Sequence, residues 1–141
     1  MRLEETNFSV RLIVRHPCLN PKDIAHILGV PNICHESGQP RLTPKGRPIG
    51  GIWQETLCSY EFTDSVTGAQ NDEPRKYEAV LYRAIESAES VGIYFSSAND
   101  DKYNIELVID IVNGEQVQIN IPKEHIDKVS PYNINIGIEV Y

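Results

Sequence analysis

The chain has 141 residues, 40% of them hydrophobic and 23% charged, and carries a formal net charge of −7 at pH 7. That is the composition of a soluble globular domain, and its acidic balance argues against general nucleic-acid binding, which needs Lys and Arg for phosphate contacts. No segment approaches the ~20 consecutive apolar residues of a membrane span, and the opening MRLEETNF has two acids and no apolar run, so neither a membrane anchor nor a secretory signal is expected.

At this length one domain is the simplest organisation, large enough to bury roughly two-thirds of its unfolded surface. Three cysteines, Cys18, Cys34 and Cys58, are odd in number and too sparse for a disulfide framework. They point to a reducing, cytoplasmic setting.

Taken in chain order, FSVRLIV alternates, with Phe8, Val10, Leu12 and Val14 on one side and Ser9, Arg11 and Arg15 on the other. This is the pattern of a half-buried strand. NPKDIAHILG encodes both ends of a helix: Asn20 can cap, Pro21 suits the first turn, and Gly29 suits the left-handed stop. Ile24, Ile27 and Leu28 share its apolar face. Residues 31–51 are rich in Pro and Gly and show no period, which predicts a long loop. IWQETLCSYEF then reads as a strand, with Ile52, Cys58, Tyr60 and Phe62 on one side and Trp53 and Leu57 on the other.

Residues 63–76 are polar and turn-like. From about Pro74 the pattern is helical, with Val80, Leu81, Ala84, Ile85 and Ala88 in one stripe. Residues 91–98 fit a strand as well as a helix; the expectation is a helix in which Val91, Tyr94 and Phe95 continue the stripe, with room for a break near Gly92. NIELVIDIVNGEQVQINI predicts a hairpin: Ile105, Leu107, Ile109 and Ile111 alternate, Asn113-Gly114 turns, and Val117, Ile119 and Ile121 alternate on the return. A short helix follows, with Ile126 and Val129 inward. A last strand carries Ile134, Ile136, Ile138 and Val140 on one face. No internal repeat is visible.

The predicted order is β-α-β-α-β-β-α-β. Strands with one apolar face predict a single α+β domain, its antiparallel or mixed sheet covered by helices on that face. The opposite face presents Arg11, Arg15, Glu106, Asp110, Gln116, Gln118, Asn120 and Glu139. It is either wet or covered by a partner.

Candidate chemistry is sparse. His16, Cys18, Cys34 and His35 have the composition of a zinc site, but Cys34 and His35 are adjacent, and paired zinc ligands usually stand two or more residues apart. The simpler reading is loop cysteines and exposed histidines. A nucleophile needs a base and a group that orients the base. His26 and His125 offer no such partner to Cys58, which reads as a small core residue. The paired carboxylates Asp72-Glu73, Glu86 and Glu89, and Asp100-Asp101 read as solvated surface. PKGRPIGG lacks the order of a phosphate-binding loop. No catalytic residue, metal ligand or cofactor is assigned, and the chain is not expected to be an enzyme.

The feature that remains is basic. Arg41, Lys45 and Arg47 precede the single tryptophan, Trp53, in an acidic chain. Basic residues beside an exposed aromatic suit a nucleotide, a nucleic-acid strand or an acidic peptide. The simpler expectation is that Trp53 closes the end of the core while the charges keep a long loop solvated. On that reading the segment is first a connection and only second a binding surface.

These pieces together resemble the bacterial family called domain of unknown function 4279. The resemblance runs nearly end to end: LNPKDIAHILGVPN, PKGRPIGGIWQ, VLYRAIESA, IPKEHIDKVS and INIGIEVY stand in the family's order. The family's helix start, helix stop, tryptophan and terminal tyrosine fall on Asn20-Pro21, Leu28-Gly29, Trp53 and Tyr141. A polar insert, TDSVTGAQNDEPRK, departs from the pattern. The resemblance implies a fold and no activity.

The functional expectation is therefore a small cytosolic protein-binding module, and in one version an immunity protein that neutralises a basic toxin. An acidic inhibitor gains association rate by steering such a partner. The alternative is a small-ligand or nucleotide-sensing domain that uses the basic segment 41–53.

Overall fold

The computed structural model describes residues 7–63, 74–112 and 119–141. Within them the chain forms β1 (Asn7–His16), α1 (Pro21–Leu28), β2 (Ile33–His35), β3 (Pro40–Leu42), β4 (Pro48–Ile52) and β5 (Thr56–Thr63). It continues with α2 (Pro74–Ser97), β6 (Asn104–Val112), α3 (Lys123–Val129) and β7 (Ile134–Val140).

The alternation of β1 sets the architecture. Phe8, Val10, Leu12 and Val14 are buried on one face, and the strand sits at the centre of a five-stranded sheet ordered β2-β5-β1-β6-β7. β1 pairs antiparallel with β5 and with β6, whereas β7 lies parallel to β6. Ile105, Leu107, Ile109 and Ile111 of β6 continue the buried face, as do Cys58 and Tyr60 of β5. Each fully buried aliphatic side chain there contributes about 1.5–3 kcal/mol. The α+β class and the mixed sheet agree with the sequence reading.

α2 lies across that face against β1, β5 and β6, with α1 and α3 packed beside it. Its stripe is the predicted one: Val80, Leu81, Ala84, Ile85, Ala88, Val91 and Phe95 are all buried, and Tyr94 is half-buried. The helix expected over 91–98 is present without a break near Gly92, and α2 runs to Ser97. Gly92 serves packing instead: a Cβ there would stand 2.6 Å from Cγ of Tyr132. α1 follows its predicted signals. The Asn20 side chain accepts a hydrogen bond from the Lys22 N–H, Pro21 begins the helix, and Gly29 ends it at φ 91°.

Several expectations need correction. Residues 119–122 form no strand, and β6 lies between β1 and β7; residues 113–118, including the Asn113-Gly114 turn, lie outside the described residues. In α3 the inward side chains are His125 and Val129, while Ile126 is exposed. Ile138 and Val140 are exposed, although Ile134 and Ile136 pack on the core. The strand expected at 52–62 is interrupted: Ile52 belongs to β4 and is exposed, and only β5 joins the main sheet. The long loop expected at 31–51 is built of β2 and the β3–β4 hairpin.

On the outer face a lattice of ion pairs crosses the strands. Arg11 reaches Asp110 at 2.7 Å and Glu139 at 3.2 Å, and Arg15 reaches Glu106 at 3.2 Å and Glu55 at 3.5 Å. Ile13 and Val108 are buried on the same face, directly opposite Glu106 and Arg11 in the register, where the apolar stems of long charged side chains shield such positions. The hydrogen bond to Asp110 raises the Arg11 pKa further.

Candidate functional site

The hairpin of β3 and β4 stands apart from the core. Every residue of both strands is exposed, so the arm is held by its own backbone pairing and by its base. Its turn follows from TPKGR. The Thr43 carbonyl accepts from the Gly46 N–H, the Thr43 N–H donates to the Arg47 carbonyl, and the Thr43 hydroxyl accepts from the Arg47 N–H. Pro44 fixes the first turn residue, and Gly46 takes the left-handed conformation at φ 86° that closes a bulged hairpin.

At the base, Trp53 extends the pairing: its N–H donates to the Gln39 carbonyl and its carbonyl accepts from Gly38. The indole stacks on His35 with ring centroids 3.7 Å apart, and the Arg41 guanidinium carbon lies 5.3 Å from the indole centroid. Trp53 is half-buried and belongs to this cluster. The expectation that it closes the end of the core is therefore corrected. Pro17, Arg41, Ile52, Trp53 and Glu55 line an open cleft of about 590 Å³ there. Thr56 anchors the same region from below. Its buried hydroxyl donates to the Leu19 carbonyl at 2.6 Å and accepts from the Ser37 N–H at 3.1 Å.

The structure thus brings Arg41 and Trp53 together. It leaves Lys45 and Arg47 at the tip of the arm, where they line a separate shallow recess with Thr43 and Pro44. The same stretch of sequence is rich in exposed apolar side chains, three of them (Leu42, Ile49 and Ile52) on the arm itself. Val30, Ile33, Leu42, Ile49 and Ile52 are five of the eleven exposed large hydrophobic side chains among the described residues, and all fall between positions 30 and 52. A local concentration of this kind marks an interaction surface more often than scattered exposure does.

Comparison with known protein families, with curated proteins and with solved structures finds no match. The reading of the site therefore stands on its geometry, and the resemblance to domain of unknown function 4279 remains an expectation from motif order.

Other polar clusters are occupied structurally. His16 is buried, its Nε2 lies 2.8 Å from Asp100, and its Nδ1 accepts the Cys18 N–H at 3.1 Å. With both ring nitrogens engaged, it offers no lone pair to a thiol or a metal. Hydrogen bonds from the Lys102 backbone and from His16 hold the Asp100 carboxyl below its usual pKa. Among the described residues no group of three or more His, Cys, Asp or Glu side chains is placed to hold a metal. Tyr60 donates its hydroxyl to the Gly29 carbonyl, and burial pushes its pKa up to about 12. Sequence reasoning missed His35 as the platform under Trp53. No periodicity joins two residues that far apart across an irregular segment.

Proposed function

We propose that the chain is a non-catalytic binding module that engages a protein partner through the β3–β4 arm and the cleft at its base. The observation that supports this is the arm itself: fully exposed, apolar and basic, with Arg41 held against Trp53, and contributing nothing to the core. Tryptophan and arginine are the residues most enriched among energetic hot spots of interfaces. Arg41, Lys45 and Arg47 with no acid between them favour an acidic, apolar surface opposite.

The immunity reading draws on a different observation, the net charge of −7, which steers a basic toxin toward the molecule as a whole. A basic toxin would meet three like charges on the arm and would dock elsewhere. A small anionic ligand in the open cleft is the third reading, supported by the proximity of Arg41 to Trp53.

The test is capture from the native host with wild-type bait and with Arg41→Ala/Trp53→Ala bait. The arm reading expects one acidic partner, captured by the wild type and lost by the variant. A basic partner captured equally by both supports the toxin reading and sinks the arm. Quenching of the single tryptophan by nucleotides, with no protein captured, supports the ligand reading.

A further inference from the structure

Two of the three cysteines, distant in sequence, face each other. Cys34 of β2 and Cys58 of β5 are direct partners in the antiparallel register. Residues opposed in this way have Cα atoms about 4.5–5.5 Å apart, inside the 4.4–6.8 Å that a disulfide spans, and their side chains leave the sheet on the same side. Both are free thiols in the structure. We propose that Cys34 and Cys58 form a dithiol–disulfide site that closes on reaction with a small disulfide such as oxidised glutathione.

The two thiols are unequal, and that sets the order of events. Cys34 is exposed on a three-residue edge strand, whereas Cys58 is fully buried beneath the helices. The Cys34 thiolate attacks one sulfur of the oxidant. One glutathione leaves as thiolate and takes a proton from water, and Cys34 carries the other as a mixed disulfide. Cys58 then gives up its proton, attacks the Cys34 sulfur, and releases the second glutathione, which leaves as a thiol. Two protein thiols are oxidised to one disulfide, and one glutathione disulfide is reduced to two thiols. Burial, and secondarily the neighbouring Cys34, push the Cys58 thiol up to about 12, so the second step is the slow one. β2 is short, exposed and at the sheet edge, so the small shift needed to reach disulfide geometry disturbs no core packing. The bond would tie the strand that carries His35, the platform of Trp53, covalently to the sheet. The site itself depends on register alone and stands whatever the arm binds.

The experiment uses the whole reduced protein under native conditions with oxidised glutathione, acid-quenched in time, alkylated, digested and read by mass spectrometry. The expected course is a glutathione adduct on Cys34, replaced by a linked Cys34–Cys58 peptide that has lost two hydrogens, with Cys18 outside the link. Cys34→Ser abolishes the linked peptide, and Cys58→Ser leaves the adduct on Cys34 as the end point. Cys34 is exposed, so Cys34→Ser is free of the folding risk attached to the buried position. An adduct on wild-type Cys34 that never converts, a link between Cys34 and Cys18, or a Cys34 that does not react would each overturn the proposal.

Discussion

Gly92 offers a substitution whose sign separates packing from helix propensity. Alanine is the better helix former by about 1 kcal/mol, so propensity alone makes Gly92→Ala stabilising. The structure reverses that. The added Cβ would stand 2.6 Å from Cγ of Tyr132 and 3.0 Å from its Cβ and Cδ1. Carbon atoms settle at about 3.5–4.0 Å, so roughly 1 Å must open between α2 and the segment after α3. The atoms met are at the root of the tyrosine side chain and cannot swing away without moving the backbone. Overpacking of this kind costs about 1–3 kcal/mol, and three contacts at once place it near the top of that range. Subtracting the propensity gain leaves about 2 kcal/mol of net destabilisation, a fall in Tm of roughly 6 °C for a chain of this size. Urea and thermal unfolding of the wild type and the variant measure it. In a Tyr132→Ala background the same substitution costs much less, because the contacts with Cγ and Cδ1 are gone and only the 3.0 Å approach to Cβ remains. A Gly92→Ala variant that melts higher than the wild type would refute the contact.

Three further outcomes follow from the geometry. Changing Arg41, Lys45 and Arg47 together to Ser leaves the unfolding midpoint nearly unchanged, since exposed positions cost within about 0.5 kcal/mol each, and a large drop would show that the arm is packed. Thr56→Val keeps the volume but strands the Leu19 carbonyl and the Ser37 N–H, and lowers stability by about 1–3 kcal/mol in chemical denaturation; a neutral result would remove Thr56 as the anchor of the arm. The Glu86–Lys128 bond between α2 and α3 gives a pH window. The hydrogen bond with Lys128 holds Glu86 below its usual pKa, and the same bond raises Lys128. A lowered carboxylate stabilises above its unfolded value, about 4.3, and the contribution is lost as pH falls through the folded value; a raised amine stabilises below about 10.4 and loses its contribution as pH rises through its folded value. The difference in urea midpoint between wild type and Glu86→Gln is therefore present between those limits and vanishes beyond both, whereas a difference that persists in acid would assign it to something other than the ion pair.

What could be read in the sequence was whatever burial had written there. β1 and β6 alternate because one face of each is covered, and α1 shows its ends because Asn20, Pro21 and Gly29 each meet a local backbone need. The arm was illegible for the converse reason. Its strands bury neither face, so no period appears, and its Pro and Gly residues look like those of a loop. The apolar run at 91–98 was ambiguous because so short a run fits either period, and the side chain packed against its glycine, Tyr132, comes from the other end of the chain. Alternation in the last strand names a face and not a neighbour, so the parallel pairing of β7 with β6 was invisible. Of the candidate site, Arg41 and Trp53 were found as a basic and an aromatic residue near in sequence. Their contact, the stacking on His35, and the separation of Lys45 and Arg47 depend on the hairpin and needed the structure.

The account rests on the arm being a contact surface carried by a core that does not need it. Gln39 and Trp53 are joined by a backbone hydrogen bond, so residues 40–52 can be replaced by an Asn-Gly turn without altering the strands that remain. The decisive measurement is partner capture by this shortened chain, with its urea midpoint recorded alongside. The account predicts cooperative unfolding near the wild-type midpoint and no captured partner. The same partner captured in undiminished yield, or a shortened chain that no longer folds, would contradict it.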